Sequence, residues 1–172
     1  MALTRAAHLW TALRAIVYAA AFIGLWAWLA YAVHLRELPF GVPLPDWVAP
    51  IGVALMALGL AVMAACVATF VARGRGTPAP FDPPRAFVAS GPYRWVRNPM
   101  YIGMFVFLVG YALCAVSFAA LLVAFAMLVV AHLVAVLYEE PSLARRFGDP
   151  YREYRRTTPR WIPRHPRDRI GA

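Results

Sequence analysis

Charged residues are absent from three long stretches of this chain, and those stretches set its expected architecture. Residues 15–33 carry no charge, and residues 48–72 lie uncharged between Asp46 and Arg73. A helix needs about 20 apolar residues to cross about 30 Å of hydrocarbon, so each stretch predicts one crossing. The third stretch, residues 99–138, holds 40 residues, or about 60 Å of helix at 1.5 Å per residue. It predicts two crossings joined by a tight turn near "CAVSF", residues 114–118. The pattern predicts an all-α integral membrane helical bundle with spans at about 15–33, 48–72, 99–115 and 117–138.

Arginine placement tests that count. All 17 Lys-or-Arg positions are arginine, against eight acids. Arg5 and Arg14 precede the first span, and Arg73, Arg75, Arg85, Arg94 and Arg97 lie between the second and third. Nine more run from Arg145 to Arg169, while Arg36 in the first loop is balanced by Glu37 and Asp46. With four spans every arginine-rich piece falls on one side, which the positive-inside rule makes cytoplasmic, both termini included. An odd count breaks that agreement. A chain that is 62% hydrophobic and 15% charged is not a water-soluble domain. Its basic excess flanks apolar runs, which suits anionic lipid headgroups rather than nucleic acid.

Further features narrow the reading to one membrane domain, residues 1–172. The first apolar stretch is too long for a signal-peptide core, and no small-residue cleavage site follows it. The Gly/Pro-rich "RGRGTPAPFDPP" reads as a linker lying against the membrane. Cys66 and Cys114 sit in apolar stretches, and no histidines or cysteines show metal-ligand spacing, so no metal is expected.

Residues 139–163, "EEPSLARRFGDPYREYRRTTPRWIP", predict a compact amphipathic helical cap on the cytoplasmic face. Pro141 suits a first helical position or a kink, and Leu143 and Phe147 share a face opposite Arg145 and Arg146. Gly148 ends that helix, Asp149 reads as an N-cap before Pro150, and Tyr151 and Tyr154 share the next face. Glu139 and Glu140 follow an apolar span directly, where an unpaired carboxylate costs several kcal/mol; such residues are functional candidates or headgroup-solvated interfacial charges. The opposite entry, "GPYRWVRNPMYIG" at residues 91–103, crowds arginines, prolines and an asparagine before the third span.

Together these segments resemble the membrane methyltransferases that include isoprenylcysteine carboxyl methyltransferase and the bacterial phospholipid methyltransferases. That family's pattern of G-x-Y, R-H-P-x-Y-x-G, E-E-x-x-L-x-x-x-F-G-x-x-Y-x-x-Y and a terminal I-P is met here by Gly91 and Tyr93; Arg97, Asn98, Pro99, Tyr101 and Gly103; Glu139, Glu140, Leu143, Phe147, Gly148, Tyr151 and Tyr154; and Ile162 and Pro163. The match covers about residues 85–163. The resemblance implies S-adenosylmethionine as cofactor, held by a loop at residues 85–101 and the exit of the fourth span. It implies cofactor contacts from Arg85, Phe87, Val88, Tyr93, Asn98, Pro99, Met100 and Tyr101, and puts Glu139 at the reacting centre. In two places the sequence departs from the family. Asn98 replaces the usual histidine and takes up no proton, and Ala135 stands where the prenylcysteine enzymes carry a substrate-binding arginine. The all-arginine, alanine-rich composition looks like that of a bacterium, where prenylcysteine methylation is out of place.

The implied chemistry needs alignment of donor and acceptor more than proton transfer. Arg94 or Arg97 suits the cofactor's carboxylate, and Glu139 or Glu140 suits its ammonium or the acceptor. Tyr93, Trp95 or Tyr101 suits adenine or the sulfonium, although Trp95 and Tyr101 also fit an interfacial aromatic belt. His132, two turns before Glu139, is a third catalytic candidate or a buried structural histidine. The expected function is S-adenosylmethionine-dependent methyl transfer at the cytoplasmic face of a bacterial inner membrane. The acceptor is a lipophilic small molecule or lipid, of unassigned nucleophile. Two alternatives stand: an NADPH-dependent membrane reductase of the sterol-reductase type, and a non-catalytic membrane protein retaining the fold. Oligomeric state is not readable.

Overall fold

A computed structural model of the chain describes residues 5–36, 44–74 and 87–164, and those residues are helical with no strand. Helix α1 spans Arg5–His34, α2 Val48–Thr69, α3 Pro99–Ala115 and α4 Phe118–Val134. Two short helices follow, α5 Glu140–Phe147 and α6 Asp149–Thr157. The helical runs Leu9–His34, Val48–Arg73 and Phe118–Phe147 are long and apolar enough to cross a membrane. α3 is shorter, with 17 residues, the lower end of what spans a bilayer. Arg85 and the linker "RGRGTPAPFDPP" apart from its first residues fall outside the described segments.

The bundle is small inside and large outside. Ala15, Ala19 and Ala30 of α1 are buried, while Leu13, Ile16, Leu25 and Trp28 face outward. This suits a hydrocarbon solvent, where large apolar side chains gain nothing by hiding and small ones let backbones approach. The closest approach joins α2 and α3 through two glycine pairs, Gly52 with Gly110 and Gly59 with Gly103. A Cβ on Gly59 would lie 2.4 Å from the Gly103 carbonyl oxygen, and one on Gly110 would lie 2.5 Å from that of Gly52. The partners sit seven residues apart on both helices, so one seam holds the two antiparallel helices in register. Met63, Met104, Leu108 and Met127 fill the centre of the bundle.

The hairpin between α3 and α4 turns at Val116 and Ser117, inside the "CAVSF" stretch. Val116 adopts a left-handed conformation (φ 48°) that ends α3, with Ser117 N–H donating to the Ala112 carbonyl and Val116 N–H to that of Leu113. The Ser117 hydroxyl then caps α4 by accepting the Ala120 N–H at 3.0 Å.

Widened turns mark the other end of the bundle. α2 runs into a π-helical turn at Phe70–Gly74, and α4 into one at Ala135–Glu139. The second ends two residues before Pro141, which has no N–H to give and would clash with a regular preceding turn; the wider turn absorbs that conflict. α5 then leaves the bundle with Leu143 and Phe147 turned inward and Arg145 and Arg146 exposed. Gly148 (φ 58°, ψ −130°) makes the corner into α6. Asp149 was expected to cap α6, but Gly148 holds the cap position and Asp149 is the first helical residue, its exposed carboxylate 3.4 Å from Arg152. After α6, residues 158–164 run back along the loop before α3. Arg97 N–H donates to the Pro159 carbonyl at 2.9 Å, and Arg164 N–H to that of Trp95 at 3.1 Å.

Candidate active site

A cavity of about 350 Å³ opens where the loop before α3, the exit of α4 and the cap meet. Phe87, Val88, Tyr93, Arg97 and Asn98 of the loop form one wall, continued by Met100 and Tyr101 at the start of α3. Glu139 and Glu140 form the opposite wall, with Leu143 and Phe147 of α5 and Tyr151 and Tyr154 of α6. Toward the bilayer, Tyr18, Phe22 and Trp26 of α1 face Met127, Val130 and Val134 of α4 across it. The polar groups gather at one end and the remaining surface is apolar.

Two carboxylate contacts join the walls. The Tyr101 hydroxyl donates to Glu139 Oε1 at 2.6 Å, linking the first turn of α3 to the widened turn after α4. Arg97 Nη1 donates to Glu140 Oε1 at 2.8 Å, although the two residues are 43 positions apart. Arg160 completes the second contact from the far side, with Nε on Oε1 at 2.7 Å and Nη2 on Oε2 at 3.0 Å. Glu140 is buried, so the cost of removing its charge from water, several kcal/mol, is met by three charge-assisted hydrogen bonds. Those bonds also hold the Arg160 guanidinium more firmly protonated than usual.

Aromatic packing seats the loop on the cap. Phe87 meets Tyr151 and Tyr154 edge-on at ring-centroid distances of 5.9 and 5.2 Å, and Phe147 at 5.7 Å. The Tyr154 hydroxyl donates to the Tyr93 carbonyl at 2.6 Å, and the Tyr93 ring packs edge-on against Phe70 at 5.1 Å. Burial pushes the Tyr93 phenol well up, with Cys66 and Tyr154 adding to the effect, and burial likewise raises that of Tyr154 against the pull of Arg97. Both hydroxyls are neutral donors across the physiological range. Gly91 (φ 58°) starts the short 3₁₀ turn that presents Tyr93, and a Cβ there would strike the Thr69 hydroxyl.

Most of the candidate residues gather on this cavity. Phe87, Val88, Tyr93, Arg97, Asn98, Met100, Tyr101, Glu139 and Glu140 all line it. Pro99 is buried at the junction of loop and α3 without lining the cavity, and fixes the path of the chain there. Arg94 and Trp95 are exposed, so of the two arginines it is Arg97 that faces the cavity. His132 does not reach the cavity: it lies exposed on α4, where its Nδ1 accepts the Trp161 indole N–H at 3.2 Å. The reason is rotation along the helix, since the π turn between His132 and Glu139 breaks the two-turn register that would align them. Glu140, a catalytic candidate, is held on both oxygens in an ion-paired cluster. Arg160 and the α1 residues Tyr18, Phe22 and Trp26 were not among the candidates. Nothing in their spacing separates them from other tail arginines or other bilayer aromatics.

Two donors on the cavity wall are buried without a partner, Asn98 Nδ2 and Arg97 Nε. A buried donor left unpaired costs about 1–3 kcal/mol, which points to a ligand carrying acceptor atoms. The residues present are compatible with S-adenosylmethionine, the cofactor that the sequence resemblance implies: Arg97 and Asn98 would hold its carboxylate, and the aromatic walls its adenine. Among the described residues no cluster of His, Cys, Asp or Glu is arranged to hold a metal. A search for similar proteins of known function finds no match. The model of the phospholipid methyltransferase family matches residues 47–150, from the start of α2 into α6, and this chain, a membrane-embedded helical protein, belongs to that family of methyltransferases.

Proposed function

We propose that the protein transfers a methyl group from S-adenosylmethionine to a membrane lipid or similar amphiphile. The observation that carries this reading is the pair of contacts, Tyr101 to Glu139 and Arg97 to Glu140, that closes the loop before α3 and the exit of α4 around one cavity. When bound, the cofactor supplies an electrophilic methyl group on a sulfonium. The protein's part is to bind and orient. Arg97 and Asn98 offer donors to an anionic or acceptor-rich group, and Phe87, Tyr93 and Phe147 shield that group from water. Glu139 is the catalytic residue: held by Tyr101, its carboxylate orients the acceptor's heteroatom and accepts its proton.

The acceptor's apolar portion lies toward Phe22, Trp26 and Val130, between α1 and α4, and the half-exposed Val130 connects that side to lipid. With Ala135 in place of an arginine and Arg97 given to the cofactor's carboxylate, no second cation among the described residues lines the cavity for a carboxylate acceptor, which favours another headgroup nucleophile such as an amine in its neutral form. The arginine-rich segments support an orientation with this end of the bundle, and both termini, on the cytoplasmic face.

The test is incubation of the pure protein and its native lipid extract with methyl-labelled S-adenosylmethionine, followed by identification of the labelled product, alongside the Glu139→Gln variant. Labelled lipid formed by the wild type and lost in the folded variant supports the reading. Binding of NADPH in place of S-adenosylhomocysteine would instead support the reductase, and binding of neither a non-catalytic role.

A further inference from the structure

Arg160 reaches Glu140 from outside the cavity, on the segment that follows α6. Its guanidinium binds both carboxylate oxygens, while Arg97 shares only Oε1 from within. Two guanidiniums, Arg97 and Arg160, meet the one carboxylate of Glu140, while the neighbouring Glu139 takes its bond from the Tyr101 hydroxyl and, among the described residues, no ion pair. Arg97 lines the cavity and keeps Nε unpaired, whereas Arg160 lines no part of it. Residues 158–164 are fastened at several points: the two backbone bonds to Trp95 and Arg97, the buried Thr158, and the Trp161 indole bond to His132. The arm is therefore built to deliver one guanidinium to one carboxylate.

We infer that Arg160 is a positioning residue, neutralising Glu140 so that the charge of Arg97 is presented to the carboxylate of the bound methyl donor. Without Arg160, Glu140 turns wholly to Arg97 and the pair is neutral toward the cavity. This inference rests on the methyl-donor reading above and assigns the tail arm a part in donor affinity.

The test compares two ligands on the full-length protein in detergent: S-adenosylhomocysteine, which has the amino-acid carboxylate, and methylthioadenosine, which lacks it. In Arg160→Gln, S-adenosylhomocysteine binding weakens by about 10- to 100-fold, the worth of one lost charge-assisted contact, while methylthioadenosine binding stays within about threefold. Adding Glu140→Gln to Arg160→Gln restores most of the lost affinity, because the carboxylate that needed neutralising is gone. Arg160→Lys falls between, since an ammonium cannot bind both oxygens in fork geometry.

An equal loss for both ligands, or a double variant weaker than the single, reduces Arg160 to a structural tie and overturns the inference. So does an Arg160→Gln protein that binds S-adenosylhomocysteine as the wild type does. A wild type that binds no S-adenosylhomocysteine overturns the methyl-donor reading and this inference with it.

Discussion

Replacing Gly59 with alanine adds one methyl group at the tightest point of the helix seam, and its effect can be worked from the backbone. The new Cβ would sit 2.4 Å from the Gly103 carbonyl oxygen, 2.7 Å from Phe107 N and 2.9 Å from Phe107 Cβ. A carbon and a carbonyl oxygen rest at about 3.3 Å or more, so α2 and α3 must part by about 0.9 Å. The nearest atoms belong to backbone and cannot swing aside. Helix propensity favours alanine by about 1 kcal/mol, whereas forcing a packed seam apart costs about 1–3 kcal/mol and also forfeits contacts along both helices. The clash wins, with a net loss of about 1–2 kcal/mol. Gly24→Ala is the control, because a Cβ there meets nothing within 4 Å. In thermal unfolding in one detergent, Gly59→Ala melts about 2–8 °C below the wild type, and Gly24→Ala melts at or above it. The shift also displaces Tyr101, two residues from Gly103, so Gly59→Ala binds S-adenosylhomocysteine more weakly. A Gly59→Ala protein that melts with or above Gly24→Ala would refute the close seam.

The remaining predictions concern the site. Tyr101→Phe deletes the 2.6 Å bond to Glu139 and lowers turnover by about 10- to 100-fold in a labelled-methyl assay; an unchanged rate removes that contact from the mechanism. His132→Ala leaves turnover within about threefold of wild type, since the histidine touches Trp161 rather than the cavity; a collapse of activity would restore it to the chemistry. For pH, burial raises the Tyr154 phenol in the folded state, so the folded protein holds that proton more tightly than the unfolded chain. Its contribution is fully present below about pH 10, the ordinary phenol value, and is lost as pH climbs above it. Melting temperature across alkaline pH checks this: Tyr154→Phe falls less steeply above about pH 10 than the wild type, and parallel curves would contradict it.

Helix content, the hairpin turn and the two segments that meet at the cavity were legible in the sequence because each rests on local physics. Uncharged runs of span length, proline and glycine at helix boundaries, and the paired motifs before α3 and after α4 require no knowledge of neighbours. The resemblance implied that the loop before α3 and the exit of α4 meet; that Phe87 packs on Tyr151 and Tyr154 was not read, because it depends on where the cap folds back. The glycine seam was not read, because Gly52, Gly59, Gly103 and Gly110 look like ordinary small residues of bilayer helices until α2 and α3 are set side by side.

His132 shows how a sequence argument of this kind loses its footing. Counting two turns from Glu139 assumes a regular helix, and the π turn at Ala135–Glu139 rotates the later residues relative to the earlier ones. Arg160 shows the complementary limit, since one arginine among nine in the tail is distinguished only by reaching a carboxylate 20 positions away. Sequence alone determined the apolar helices and their charged flanks, since solvation by lipid or water is a property of each segment. Tertiary structure alone decided which arginine faces the cavity, which glutamate is committed to an ion pair and which histidine is left outside. Those outcomes depend on distances between segments far apart in the chain, and those distances are set by how closely the helices pack.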